Sequence, residues 1–402
     1  MIKKILIDHL TIGMYISDLN NQWVPSQNAS RRGLIKNQTT IDKIRALGVK
    51  ELYIDSNKGA DCEAGIEADA IKQLQANQFN SLATQSGAKL GYRPPLSEER
   101  DNAEKQHSKA KNLIGGILED IKDGKGVDAD SVEATASDII HSLNTNENAL
   151  ACLSHIRSKD EYLLEHSVNV GVLMGIFSRA RRLDEDTTRQ LVAGGLLHDI
   201  GKILVPSEIL NKPGKLEAEE WEEMKRHVTY GEQILDVTEG LSNITRSICA
   251  QHHERLDGSG YPRNLPAEQI SLFGRMSAIC DVYDAITADR VYHQGMTPNT
   301  ALKKLIEWSI FHLDKELVYD FIRCLSVYPV GTLVELSNGT AAVIIEANRR
   351  QPKLPLVRAF YSTVKHELLP PVELNLASKS AKAEIVNTLD ARQLGIDIRP
   401  FL

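Results

Sequence analysis

Imidazoles and carboxylates recur through the middle of this 402-residue chain. Five of its twelve histidines, His166, His198, His227, His252 and His253, fall there, with Asp199 directly after His198 and with Asp281 and Asp284 further on. Imidazole nitrogens and carboxylate oxygens suit Mn, Fe, Ni or Zn, and a donor set without cysteine favours a catalytic over a structural site. The cofactors expected are two divalent transition-metal ions shared among His166, His198, Asp199, His227, His252, His253 and Asp281, their identity open between Fe, Mn and Ni. Taken singly, several of these residues have a plainer account. His166 reads as a packed core histidine, His227 as an exposed side chain, and His198-Asp199 in LVAGGLLHDIGK as a polar helix end with Gly201 as its stop. Asp281 and Asp284 resist that account, because positions i and i+3 of an apolar helix put two carboxylates on one buried face. A buried unpaired carboxylate costs several kcal/mol, so cations beside it are expected.

Helices must carry these residues. From Asp160 to Arg179, the spacing of Leu163, Val168, Val170, Val172, Leu173 and Ile176 predicts a helix bearing His166. Further helices fit 112–121, 131–143, Glu185–Ile200, Ala218–Thr238, Asn243–His253, Ala267–Ala288 and Pro298–Trp308. Residues 112–328 therefore read as an all-helical domain holding every candidate ligand. Upstream, β-branched clusters broken by Gly13, a short helix around Thr40–Leu47 and the strand-like VKELYID predict a small α+β module over 1–64, with a role in interaction or regulation. Residues 65–111 are thin in large apolar side chains, hold the pair Pro94-Pro95 and read as a partly helical linker. Past Tyr328-Pro329, Asn338-Gly339 stands between two β-branched runs, a hairpin signal, and 329–402 reads as a β-rich appendage. The fold class expected is mainly α.

Composition narrows the function. A 42% hydrophobic, 25% charged chain fits an ordinary soluble protein of two or three domains. The net charge of −7 argues against DNA or an anionic membrane as a non-specific partner, since both need clustered Lys and Arg. No apolar run approaches the roughly 18–20 residues of a membrane span, and the start MIKKILIDHL has no long signal-type apolar region. A cytoplasmic protein is expected. Cys62, Cys152, Cys249, Cys280 and Cys324 are scattered without a CxxC pair and read as reduced, buried thiols.

The order His166, His198-Asp199, His227, His252-His253, Asp281 resembles that of the HD phosphohydrolases. His252-His253-Glu254 followed by Asp257-Gly258-Ser259-Gly260-Tyr261-Pro262 resembles the signature of their HD-GYP subfamily, over roughly residues 145–325. The first sixty residues also resemble a small domain of unknown function that often precedes HD-GYP domains. The resemblance implies an HD-type helical bundle and a bacterial phosphodiesterase that cleaves cyclic di-GMP to pGpG, and in some members to GMP, lowering a second messenger. It implies a hydroxide bridging two metals that attacks phosphorus in line. Asp199 is then the bridging ligand, with His166, His198 and Asp281 on one ion and His227, His252 and His253 on the other. Lys202 matches a lysine that meets a phosphate oxygen, and Arg290 a position contacting the second phosphate. Asp284 either protonates the leaving 3′-oxygen or orients a metal-bound histidine. Glu254 is expected to orient a ligand or the helix end. Gly260 and its neighbouring glycine let backbone approach the dinucleotide or a partner, while Tyr261 offers a face for contact.

Two departures qualify the resemblance. Some members hold a third metal through a glutamate one turn before the first histidine. Here Tyr162 stands four residues before His166, and Glu165 points about 100° away on a helix, so two metals are expected. After Arg290 the chain reads Val-Tyr-His, where many relatives have Pro-Tyr-Arg or Pro-Tyr-Lys. Two other functions stay open: a phosphodiesterase for 3′,3′-cyclic GMP-AMP, and a non-catalytic adaptor binding diguanylate cyclase domains through the GYP loop. A homodimer is a further expected assembly.

Overall fold

The computed structural model describes residues 1–20, 32–84, 96–153, 162–214, 216–288, 295–348 and 350–402. In chain order the elements are β1 (Ile2–Leu6), β2 (Tyr15–Asp18), β3 (Gly33–Leu34), α1 (Gln38–Ala46), β4 (Glu51–Asp55), β5 (Ile66–Glu67), α2 (Ala68–Thr84), α3 (Leu96–Lys122), α4 (Ala129–Leu153), α5 (Tyr162–Ala180), α6 (Glu185–Leu197), α7 (Ser207–Leu210), α8 (Ala218–Lys225), α9 (His227–Asp236), α10 (Asn243–Gln251), α11 (Leu272–Thr287), α12 (Pro298–Trp308) and α13 (Lys315–Leu325), then β6 (Leu333–Leu336), β7 (Thr340–Glu346), β8 (Leu356–Ser362), β9 (Glu367–Asn375) and β10 (Ile385–Thr388). The chain divides into two units, one of Met1–Phe79 with Lys212–Trp221, the other of Asn80–Asn211 with Glu222–Leu402.

In the first unit, a five-stranded sheet of order β3-β2-β4-β1-β5 pairs antiparallel throughout. Alternation along β4 buries Leu52 and Ile54, which pack with Ile5, Ile16, Ile41 and Ile44. Asn37 starts α1 by accepting the Thr40 amide at 3.0 Å.

The second unit is the helical bundle. Residues 65–111, read from sequence as a partly helical linker, contain α2, which belongs largely to the first unit, and most of α3. Large apolar side chains are scarce there because small ones serve: Ala103 and Ala110, seven residues apart on one helix face, are fully buried in the core shared with Val132, Ala136 and Ile139 of α4. Pro94-Pro95 lies outside the described residues. The helix expected over 218–238 is two helices that meet at Arg226, and the one expected over 267–288 begins at Leu272 after a short 3-10 turn. After α13 a five-stranded antiparallel sheet runs β10-β6-β7-β8-β9. Its turn residue Gly339 has φ +76°, as the Asn-Gly hairpin signal requires. Ala341, Val343, Ile345 and Phe360 on one face join the helical core, while Ala342, Ile344 and Val357 on the other pack with Leu376 and Ala383. The bundle with flanking sheets is the mainly α fold expected. All five cysteines are buried thiols outside any disulfide. Among the described residues no helix is long and apolar enough to cross a membrane.

Two close approaches set the site. A Cβ on Gly195 of α6 would lie 2.7 Å from the Gly171 Cα of α5. Contact this close brings the His166 and His198 rings to 5.0 Å. Gly201, just past Asp199, acts in the same way, since a Cβ there would lie 2.0 Å from the His227 carbonyl oxygen. Its role is close packing against α9 more than the stop signal read from sequence.

Candidate metal centre

Three of the histidines sit at helix breaks, and all three use one local device. The last carbonyls of a helix have no partner within it. His198 and His252, the C-cap residues of α6 and α10, turn Nδ1 back to the carbonyls three residues earlier, Gly195 at 2.7 Å and Cys249 at 2.8 Å. His227 does the same with Met224 at 2.7 Å, which accounts for the break between α8 and α9. In each, Nδ1–H donates to the carbonyl, so Nε2 is left as an acceptor. His166, inside α5, reaches the same state through a carboxylate: its Nδ1 lies 2.7 Å from Asp284 Oδ2 on α11.

The four Nε2 atoms converge on Asp199. Its Oδ1 stands 3.3 Å from His227 Nε2 and 3.7 Å from His252 Nε2. Its Oδ2 stands 3.3 Å from His198 Nε2 and 3.5 Å from His166 Nε2. Two donor sets result, His166, His198 and Asp199 in one, and His227, His252, His253 and Asp199 in the other, all buried. Asp281 lies between them, 3.1 Å from His166 Nε2 and 3.5 Å from His253 Nδ1.

This arrangement fits metal cations. His166 Nε2 and His198 Nε2 are 3.2 Å apart, and His227 Nε2 and His252 Nε2 3.4 Å. With the Nδ1 of His227 and His252 committed as donors, the contact between their Nε2 atoms faces lone pair to lone pair, and Asp199 Oδ1 is buried without a hydrogen bond. Acceptors gathered without donors repel unless a cation lies among them. Burial holds His198 and His253 below the ordinary imidazole range and, helped by the Lys202 charge, His227 at about 3. Those rings are neutral, as ligation requires. Burial also lowers His166, but Asp281 and Asp284 outweigh it and raise the ring. Burial likewise raises Asp199 and Asp281, yet Lys202 and His198 in the first case and the His166 hydrogen bond in the second leave both well below the carboxylate range. The cationic Lys202 side chain pairs with Asp199 Oδ2.

The GYP loop lies beside this centre. The Tyr261 ring packs over His253 with centroids 4.6 Å apart and meets His227 edge to face at 6.3 Å, so it contacts two of the candidate ligands. Glu254, fully enclosed, accepts the backbone amides of Arg263 at 2.8 Å and Leu265 at 3.0 Å. It fixes the far side of the loop rather than a ligand. Gly258 has φ +72°, the positive φ expected of the loop's glycines. Gly260 is needed for another reason: a Cβ there would lie 2.3 Å from the Arg255 amide nitrogen. Its smallness serves the packing of the loop on its own base. Arg290 and His293 lie outside the described residues. Sequence reading passed over Arg255, whose guanidinium is buried and donates to the Glu254 carbonyl at 3.0 Å, and His312, which comes from the turn after α12.

Residues 151–317 match the HD domain and residues 2–132 a domain of unknown function, DUF3391. A cyclic di-GMP phosphodiesterase of Pseudomonas aeruginosa is 35% identical over 96% of this chain and 92% of its own length. The chain belongs to the HD-GYP family. Other relatives match shorter stretches. A 3′3′-cGAMP-specific phosphodiesterase of Vibrio cholerae is 43% identical over 30% of this chain, and a cyclic di-GMP phosphodiesterase of Borreliella burgdorferi 31% over 49%. The matches span 24% and 52% of those two relatives.

Proposed function

We propose that this HD-GYP chain is a divalent-metal-dependent phosphodiesterase that opens cyclic di-GMP to pGpG. The observation that supports it most is the sharing of Asp199, one oxygen toward each histidine set. Two ions, Fe, Mn or Ni, supply charge for the phosphoryl oxygens and lower the pKa of the attacking water. His166, His198 and Asp281 hold one, His227, His252 and His253 the other, with Asp199 between. Asp284, 2.7 Å from His166 Nδ1, keeps the proton on that nitrogen and the Nε2 lone pair on the site. That bond favours orientation of His166 over protonation of the leaving 3′-oxygen. Lys202, about one-fifth exposed beside Asp199, meets a phosphate oxygen from the rim, and Arg290 is assigned to the second phosphate.

The Vibrio cholerae relative specific for 3′3′-cGAMP supports a second reading, turnover of the mixed dinucleotide. Metal-loaded protein incubated with both dinucleotides at equal concentration, with pGpG and GMP separated by chromatography, decides between them. Faster loss of cyclic di-GMP, stopping at pGpG, is the expected result. Faster loss of the mixed dinucleotide overturns the substrate, and no loss of either overturns the activity in favour of an adaptor that binds diguanylate cyclase domains.

A further inference from the structure

The GYP loop has no regular secondary structure between α10 and the 3-10 turn at 267–269, so a few side chains hold it in place. Glu254 fixes its far side through the Arg263 and Leu265 amides, and the Asn264 side chain donates to the Gly260 carbonyl. The near side is fixed from elsewhere in the bundle. The Leu256 amide donates to the His312 carbonyl at 3.1 Å, and His312 Nδ1 lies 3.4 Å from Asp257 Oδ2. His312 is buried in the turn between α12 and α13, and its own amide donates to the Trp308 carbonyl at 2.9 Å, so its backbone is anchored to α12.

Asp257 divides its carboxylate. Oδ1 accepts the Ser259 amide at 3.1 Å and the Ser259 hydroxyl at 2.6 Å, which shapes the turn locally. Oδ2 faces His312. Burial pushes the Asp257 carboxyl up, but the His312 and Ser259 hydrogen bonds and the His312 charge overcome it, and the group stays ionised far below the ordinary range. At 3.4 Å the two atoms, both buried, are within polar reach of each other.

We infer that His312 is a positioning residue for substrate binding: it latches the base of the GYP loop to the α12–α13 turn through Asp257 and so sets where Tyr261 stands. The inference rests on the proposed activity, because it takes the loop as a wall of the dinucleotide site. His312 is not among the metal donors, and its effect belongs to KM more than to metal content. Three variants separate this from a general loss of structure. His312→Leu keeps the volume and removes the ring nitrogen that faces Asp257. Asp257→Asn keeps the Ser259 turn and removes the charge facing His312. The double variant tests whether the two act through one contact.

In metal-loaded protein with cyclic di-GMP, each single variant raises KM about tenfold, as expected for loss of one charge-assisted contact. In each, kcat and metal content stay within about twofold of wild type, and the double variant is no worse than either single. His312→Gln, which keeps a donor, recovers most of the loss. Amide hydrogen exchange is measured on the same metal-loaded proteins without substrate, and it speeds up at residues 256–261 only. Additive KM effects, or unchanged exchange at 256–261, overturn the latch. If wild type turns over no dinucleotide, the activity fails, and the exchange measurement still decides the latch.

Discussion

The metal-facing half of the site and the GYP loop lie against each other and are built in opposite ways. On the metal side, His198, His227 and His252 each close a gap within three residues of themselves, donating Nδ1–H to a carbonyl at a helix end. One hydrogen bond satisfies the backbone, fixes the tautomer and aims Nε2. On the loop side, the fixing groups are the carboxylates of Glu254 and Asp257, and the second depends on His312 from a distant turn. The histidines are thus set by local helix geometry, and the GYP loop by tertiary contacts. His253 joins the halves, paired with Asp281 on one side and covered by Tyr261 on the other.

The largest effect that would break this contrast is expected on the metal side. His198→Ala or His252→Ala removes a donor and the cap of a helix end together. Turnover of cyclic di-GMP should fall by about 10³-fold or more through loss of the bound ions, while circular dichroism keeps its helical signature. Retained turnover would mean that the converging Nε2 atoms are not the working ligands. Next in size is Asp284→Asn. An amide oxygen accepts the same proton but carries no charge, and metal affinity measured by competition with a chelator should weaken about 10–100-fold.

A smaller effect is expected on the loop side. Glu254→Gln can still accept, but its amide nitrogen faces one of the two backbone donors at 263 and 265. KM should rise about tenfold at constant metal content, equivalent to roughly 1.4 kcal/mol. Metal loss in this variant would erase the division between the two halves.

Acidification is the most graded test. In metal-free protein, buried His198, His227 and His253 have folded pKa values below the ordinary one, with His227 at about 3. Below about pH 6.5 the unfolded chain therefore takes up protons that these rings refuse, and stability falls as pH drops. His166 acts in the opposite sense, its folded pKa being raised. Its contribution is complete below about pH 6.5 and is lost as pH rises through its folded value. His166 is protonated in both states below about pH 6.5 and adds no slope there, so each of the three refusing rings costs up to about 1.4 kcal/mol per pH unit, read as a falling denaturation midpoint. Metal-loaded protein should resist this until the ions leave.

Much of this architecture is legible in the sequence, and what was missed follows from the same division. The HD pair, the two carboxylates of α11 and the helices carrying them are written in local periodicity, and Pro298–Trp308 coincides with α12 from end to end. The break at Arg226 was missed because a continuous apolar rhythm runs through 218–238. A side chain, His227, takes the Met224 carbonyl there, and periodicity does not register such a cap. The packing of α3 ahead of residue 112 was missed because Ala103 and Ala110 make it, and alanines weigh little in a search for large apolar residues. Glu254 was expected to orient a ligand or the helix end, and it instead holds the loop through the Arg263 and Leu265 amides. Gly260, expected to let backbone approach the substrate, also lets the loop pack on its own base. His312 carried no signal at all, since its partner Asp257 lies far from it along the chain.

The central claim is that Asp199 joins two ligand sets into one metal centre. Metal analysis of anaerobically purified wild type beside Asp199→Asn tests it most directly. Two transition-metal ions per wild-type chain, with both lost from the folded variant, is the result expected. A well-folded wild type without transition metal, or a variant that keeps both ions, would contradict it.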